Sequence, residues 1–286
     1  MPAQLLDGDA AARAMRAEVA AGVKRLVAAS GVTPGLVTVV GGHDPASRSY
    51  SRAVIRRAEQ TGMRGREVTL DEGLDDAGLR RLIEELNRDP QVHGIIVQFP
   101  LPPGLTTAAV AETLDPRKDV DGITAVNAGR LALAQPGLVP STPLGGLELL
   151  KRHGIEVSGM QATVIGRSAV VGKPLALLLI NEHATVTVCH TRTRPADREA
   201  ACRRADLLCA AAGQPGLITA DLVKPGAVVL DFGTSPGPDG KLVGDVDFGA
   251  VSEIASWISP VPGGTLPMTT AALLRNTLQA ATSLLT

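Results

Sequence analysis

The sequence predicts an α/β protein in which two domains flank a cleft. Apolar runs of strand length alternate with helical stretches, an order typical of parallel sheets joined by crossover helices. The 286 residues are enough for two modest hydrophobic cores. Beyond the middle of the chain, a β-α-β unit with a small-residue turn marks a second domain. We therefore expect an N-terminal α/β domain followed by another α/β domain of the doubly wound type.

The first domain is predicted to alternate helices and strands. The expected helices cover residues 10–29, 46–62 and 75–87, and the expected strands cover residues 35–40, 66–70 and 94–99. In open parallel sheets, ligands bind beyond the carboxyl ends of the strands. Residues 42–47 and 98–102 follow two of these strands, so we expect them to carry functional groups.

The second domain is predicted to follow the loop at residues 138–143. A helix is expected around residues 145–152, and a last helix at residues 268–285. Strands are expected at residues 162–165 and near Thr185, Leu207 and Val228. Residues 234–241, which are rich in Gly and Pro, are expected to form a simple turn.

The turn after the first strand of this second domain has the features of a phosphate-binding loop. Gly166, Arg167 and Ser168 follow the strand at residues 162–165, and Gly172 opens the next helix. Bare backbone lets a phosphate approach, and the helix N-terminus adds a partial positive charge. Glycine-rich turns occur widely in α/β proteins, so this pattern alone leaves a structural turn as the alternative.

The side chains around this turn favour NADP over NAD. Arg167 lies in the turn itself, and Thr191 and Arg192 follow the next strand. Guanidinium groups at these positions suit a ribose 2′-phosphate, whereas an acidic residue would be the signature of NAD.

Composition excludes several classes of function. The formal net charge of −1 gives no basic field for nucleic acid. No apolar run approaches about 20 residues, so we expect no membrane span. The five histidines lack the spacing of metal ligands, so we expect no metal. Cys189, Cys202 and Cys209 show no pairing pattern, which fits a reducing cytoplasm.

Six further motifs follow one another along the chain. They are D-P-A-S-x-x-Y at residues 44–50, V-Q-F-P-L-P at 97–102, K-D-V-D-G at 118–122, S-T-P-x-G at 141–145, G-D-V-D-F at 244–248 and P-V-P-G-G at 260–264. With the loop at Gly166, they make the chain resemble the methylenetetrahydrofolate dehydrogenase/cyclohydrolase family over nearly its whole length.

This resemblance implies a division of labour between the two domains. Residues 1–140 plus 268–286 would form a folate-type catalytic domain, to which the last helix returns. Residues 141–267 would form a Rossmann-like NADP-binding domain. The resemblance further implies a small-molecule folate substrate and a homodimer.

The resemblance also implies roles for individual residues. Tyr50 would pack beside the reacting ring system of the folate, and Gln98 would polarise the reacting centre. Asp121 would pair with the amino-pyrimidine edge of the pterin, because a carboxylate accepts two parallel hydrogen bonds. The expected substrate-binding residues are Ser47, Tyr50, Gln98, Pro100, Asp121, Gly263 and Gly264. The expected cofactor-binding residues are Gly166, Arg167, Ser168, Thr191, Arg192 and Thr234.

The chain departs from the family pattern at the position most tied to hydrolysis. The family has a lysine four residues after the tyrosine, on the same helix face, and this chain has Val54 there. Arg57 lies one turn further along, but a guanidinium does not shuttle protons near neutral pH. Further departures lie at residues 123–125 and at residues 265–266.

We therefore predict oxidation of 5,10-methylenetetrahydrofolate by NADP, with cyclohydrolase activity weak or lost. Two alternatives stay open at this point. The protein could be a dehydrogenase with an altered, folate-like or small imine substrate. It could also be a non-catalytic relative that binds NADP or a protein partner.

Overall fold

The computed structural model describes residues 2–41, 45–237 and 239–285. The described residues form the following strands: β1 (Gln4–Leu5), β2 (Gly35–Gly41), β3 (Arg64–Leu70), β4 (Gly94–Val97), β5 (Gln161–Ile165), β6 (Thr185–Cys189), β7 (Leu207–Ala210), β8 (Val228–Asp231), β9 (Ser235–Pro236), β10 (Leu242–Val243) and β11 (Trp257–Ile258). They form the following helices: α1 (Gly8–Ser30), α2 (Pro45–Gln60), α3 (Asp76–Arg88), α4 (Thr107–Thr113), α5 (Ala125–Ala132), α6 (Ser141–Arg152), α7 (Gly172–Asn181), α8 (Pro195–Arg204), α9 (Phe248–Ser252) and α10 (Thr265–Ser283).

One compact unit comprises residues 14–141 and 272–285 and contains a three-stranded parallel sheet in the order β3-β2-β4. Successive side chains of β2 point to opposite faces of this sheet. Leu36 packs in an apolar cluster with residues of α2, and Val37 packs with residues of α3. The C-terminal part of α10 joins this unit, where Asn276 Nδ2 donates hydrogen bonds to Val120 O at 2.8 Å and Val139 O at 2.7 Å.

The other compact unit comprises residues 2–13 and 142–271 and contains a six-stranded parallel sheet. Its strand order is β1-β11-β8-β7-β5-β6. The chain order reverses on either side of β5, and such a switch point in an open parallel sheet is where a ligand-binding crevice forms. The α/β class with parallel sheets, predicted from the sequence, is confirmed.

Some elements differ from the sequence-based expectation. The range of the turn expected at residues 234–241 includes strand β9, which pairs antiparallel with β10 just beyond that range. Strands β1 and β11, which pair in parallel, were not predicted because two-residue strands are too short to show alternation. This pairing groups residues 2–13 with the larger sheet, whereas the sequence places them in the first domain. The domain boundaries otherwise stay a prediction.

Several further features bear on function. Cys189, Cys202 and Cys209 are all buried, as core residues are. Among the described residues, no group of His, Cys, Asp or Glu could hold a metal ion. No helix in the described part of the chain is long and apolar enough to cross a membrane.

Candidate functional site

The loop between β5 and α7 can exist only with glycine at its first position. Gly166 has φ of 134°, and a Cβ there would lie 2.1 Å from Ala211 O. The hydroxyl of Ser168 accepts hydrogen bonds from Val171 N at 3.1 Å and Gly172 N at 3.3 Å. The loop is therefore fixed by the close backbone approach at Gly166 and by the Ser168 side chain, and it presents the N-terminus of α7 at the carboxyl edge of the larger sheet.

A cavity of about 210 Å³ opens beside this loop, at the carboxyl ends of β5, β6 and β7. It brings together four of the predicted cofactor-binding residues, Gly166, Arg167, Ser168 and Thr191. The predicted residues Arg192 and Thr234 do not line it. The remaining lining residues are Ile165, His190, Arg198, Ala211, Ala212, Gln214 and Leu217. The sequence-based prediction missed Arg198 because it lies on α8, beyond the loop in which cofactor residues were sought.

One wall of this cavity is held in place by a buried carboxylate. Asp245 is fully buried, and its Oδ2 accepts hydrogen bonds from Ala212 N at 2.7 Å and Gly213 N at 2.9 Å. Asp231, at the end of β8, in turn accepts from Asp245 N at 3.0 Å and Val246 N at 2.9 Å. The G-D-V-D-F motif thus shapes the loop that follows β7, a structural role that the sequence did not reveal.

In the smaller unit, Gln98 directly follows β4 and carries a side-chain amide whose hydrogen-bonding capacity is not fully used. Its backbone N donates to Val39 O at 2.8 Å, so the ladder of β2 and β4 continues to this residue. The side-chain Nε2 is buried and has no hydrogen-bond partner among the described residues. A buried donor without a partner costs about 1–3 kcal/mol, so such a group is a candidate for binding a ligand. Pro100, two residues later, is exposed.

Helix α2, which carries Tyr50 and Val54, packs against one face of the three-stranded sheet. Val54 is fully buried in an apolar cluster with Leu36 and Ile96, and the half-buried Tyr50 packs against that cluster. Gln98 follows Ile96 by two positions, so strand alternation turns it towards this face. Ser47 is buried. Gly42 and Asp44, which the sequence also singled out, lie outside the described residues.

Asp121 lies at the carboxyl edge of the smaller sheet, as Gln98 does. The segment before it runs parallel to β4, because Ile95 forms a bridge with Asp119 and Ile95 N bonds to Lys118 O at 2.8 Å. Burial, together with the nearby Asp119 carboxylate, raises the pKa of Asp121 to about 6. The Ser141 hydroxyl, which donates to Asp121 Oδ1 at 2.6 Å, opposes this shift.

Thr124, one of the departures from the family pattern, has a structural role here. Thr124 is buried, and its hydroxyl caps α5 by accepting from Asn127 N at 3.4 Å. Leu266 lies in the first turn of α10 with 37% exposure. Just before it, Gly263 has φ of 105°, and a Cβ on Gly264 would lie 2.6 Å from Pro260 O. The P-V-P-G-G segment therefore requires both glycines.

Family models match most of the chain. Residues 6–121 match the catalytic domain of tetrahydrofolate dehydrogenase/cyclohydrolase, and residues 140–285 match the NAD(P)-binding domain of the same family. The second match coincides with the unit that holds the loop at Gly166. The nicotinamide cofactor predicted from the sequence is therefore confirmed as a class.

Curated relatives and solved structures agree with these matches. The chain is 50% identical over 281 residues to a bifunctional protein FolD of Roseiflexus sp. (strain RS-1), covering 98% of this chain and 97% of that protein. The FolD structure from Campylobacter jejuni has a TM-score of 0.95 at 40% identity, with 98% of this chain and 99% of that chain covered. The FolD structure from Trypanosoma brucei, complexed with NADP cofactor and an inhibitor, has a TM-score of 0.94 at 37% identity and covers 100% of this chain and 99% of that one. The resemblance predicted from the motifs is confirmed, and the chain belongs to the tetrahydrofolate dehydrogenase/cyclohydrolase family.

Proposed function

We propose that this enzyme oxidises 5,10-methylenetetrahydrofolate to 5,10-methenyltetrahydrofolate with NADP, and that its cyclohydrolase activity is weak or lost. The observation that carries the second part is the environment of Val54. The position of the family lysine holds a fully buried side chain among apolar residues. Valine offers no donor, acceptor or titratable group.

The oxidation does not require the missing lysine. The lone pair of a folate nitrogen assists the departure of hydride, and the nicotinamide ring, when bound, accepts it. The protein supplies proximity, orientation and exclusion of water. In this proposal Asp121 anchors the pterin edge, Tyr50 packs beside the ring system, and the unpartnered Nε2 of Gln98 donates to the folate.

Hydrolysis of the methenyl product depends more strongly on general acid–base catalysis than the oxidation does. Attack of water creates a tetrahedral centre whose protons must be moved, and help of that kind is typically worth about 10²–10⁴-fold. In this proposal Gln98 polarises and orients the reacting centre, but an amide does not titrate. No described side chain on this face of α2 replaces the lysine amine.

The choice of NADP over NAD rests on the cavity beside Gly166. Arg167 and Thr191 line it together, in the region where a ribose 2′-phosphate binds in doubly wound domains. Similarity to the NADP-complexed structure from Trypanosoma brucei supports the same choice. The homodimer and the cytoplasmic location predicted above are part of the proposal, the former from the family resemblance and the latter from the unpaired cysteines.

A second candidate is the full bifunctional activity. It is favoured by the 50% identity to a relative that is named bifunctional. Two variants at one position separate the candidates. Val54→Lys restores an amine, and Val54→Met is a control for side-chain length without charge. If the amine is what the enzyme lacks, hydrolysis of methenyltetrahydrofolate rises at least tenfold in Val54→Lys and not in Val54→Met. Rapid hydrolysis by the unaltered enzyme would favour the bifunctional candidate.

A further inference from the structure

A second arginine lines the cofactor cavity, and it comes from a different element than Arg167. Arg198 lies in the first half of α8 and faces the cavity together with Arg167 and Thr191. Its Nε is buried and has no hydrogen-bond partner among the described residues. Leaving a buried donor of a charged group without an acceptor costs free energy. The simplest explanation is that a bound ligand supplies the acceptor for Arg198 Nε.

The acidic residues beside Arg198 are already engaged by other arginines. Asp197 pairs with Arg194 at 2.7 Å, and Glu199 pairs with Arg203 at 3.3 Å. Among the ion pairs of the described residues, none includes Arg198 or Arg167. Two arginines therefore line the cavity, and no Asp or Glu is among its lining residues.

This arrangement fits an anion that carries more than one negative charge. Two like charges lining one small cavity repel each other, and a phosphate between them removes that repulsion. A guanidinium group donates two parallel hydrogen bonds to phosphate oxygens. Its hydrogen bonds to a neutral hydroxyl group are weaker. Arg198 follows the strand and loop after which doubly wound domains recognise the ribose 2′ position.

We propose that Arg198 binds the ribose 2′-phosphate of NADP jointly with Arg167 and is a specificity-determining residue for this cofactor. The inference rests on the proposed choice of NADP and adds a residue that neither the loop pattern nor the family motifs include. It makes α8, as well as the loop after β5, part of the cofactor site. Discrimination between NADP and NAD is then divided between two elements.

The test is calorimetric titration of the full-length protein with NADP⁺ and, separately, with NAD⁺, without folate. Arg198→Met keeps the length of the side chain and removes its charge, and Arg198→Lys keeps the charge and removes the fork. Arg203→Met, on the same helix but outside the cavity, is the matched control. We expect Arg198→Met to weaken NADP⁺ at least tenfold and NAD⁺ less than twofold. The NADP⁺ affinity of Arg198→Lys should lie between those of Arg198→Met and the unaltered protein. Arg203→Met should bind both cofactors as the unaltered protein does.

The thermal midpoint distinguishes a binding residue from a structural one. If Arg198 binds the phosphate of NADP⁺, the thermal midpoint of cofactor-free Arg198→Met should equal or exceed that of the unaltered protein. NADP⁺ should then stabilise Arg198→Met much less than it stabilises the unaltered protein. A lowered midpoint without cofactor, with equal losses for both dinucleotides, would show a structural role and overturn the inference.

The same titrations separate this inference from the choice of cofactor. If the unaltered protein shows no preference for NADP⁺ over NAD⁺, both the proposed cofactor and the role of Arg198 are wrong. If it prefers NADP⁺ and Arg198→Met keeps that preference, the proposed function stands and only the role of Arg198 fails.

Discussion

Asp121, the residue proposed to bind the pterin edge, has surroundings that shift its pKa. Its carboxyl group lies beside Asp119 and is held by the Ser141 hydroxyl, and its pKa of about 6 lies well above the usual value. Only the ionised form accepts two hydrogen bonds from an amino-pyrimidine edge. The free energy that burial withholds from the charged form is recovered when N–H donors bind.

Folate binding should therefore depend on pH near 6. Because the ionised carboxylate is the binding form, affinity should rise as pH increases from 5 to 7 and level off above. Ser141→Ala removes a hydrogen bond that lowers the pKa, so it should move the midpoint to higher pH. Calorimetric titration with tetrahydrofolate across this range measures both effects. Asp121→Asn provides the control, and a midpoint that persists in Asp121→Asn would assign the pH dependence to another group.

Val54, unlike Asp121, has an apolar side chain in apolar surroundings. Lysine at this position would place an amine where the side chain is fully buried among apolar residues. We expect Val54→Lys to lower the free energy of unfolding by roughly 2–5 kcal/mol at pH 7 relative to Val54→Met. Burial lowers the pKa of an amine, so the unfolded state binds more protons and the deficit should shrink as pH rises towards 10. Denaturant unfolding of both variants at pH 7 and pH 9.5 measures this, and a deficit independent of pH would mean that the amine reaches solvent.

At the scale of elements, long periodic segments were predictable and short ones were not. Strand β2 and helix α3 followed from apolar spacing, and the structure ends them within a residue or two of the expected bounds. Helix α8 contains few buried residues, so its sequence lacks the periodicity that marks an amphipathic helix. The cofactor loop was found because its glycines leave a local pattern. The place of Arg198 beside the cavity and the hydrogen bonds of Asp245 were not predictable, because both depend on contacts distant in sequence.

The loop between β5 and α7 offers the clearest test at this scale. In Gly166→Ala the new Cβ would meet Ala211 O at 2.1 Å, and the backbone would remain at φ of 134°. Backbone strain of this kind costs about 1–3 kcal/mol before the clash is counted. We expect cofactor affinity to fall at least tenfold and the thermal midpoint to drop. Gly154→Ala, which has open space but also positive φ, controls for backbone strain alone. Equal effects of the two substitutions would contradict the close approach at Gly166.

At the scale of the whole molecule, the two matched domains would supply different parts of the proposed reaction. The unit with the six-stranded sheet carries the cofactor loop and its cavity, and the unit with the three-stranded sheet carries Asp121, Gln98, Tyr50 and Val54. The sequence predicts such a division because each of the two expected domains has its own set of motifs. The proposed consequence of Val54 rests on the resemblance alone, since valine in a helix gives no signal by itself.

The most direct test of the proposed chemistry is to mix the unaltered enzyme with 5,10-methylenetetrahydrofolate and NADP⁺, and to follow NADPH and methenyltetrahydrofolate by absorbance together. The proposal predicts that the two products appear in equal amounts and that the methenyl form then decays only at the rate seen in buffer without enzyme. Formation of NADPH with little methenyltetrahydrofolate, and with 10-formyltetrahydrofolate in its place, would show that the enzyme hydrolyses the product despite Val54 and would contradict the loss of cyclohydrolase activity.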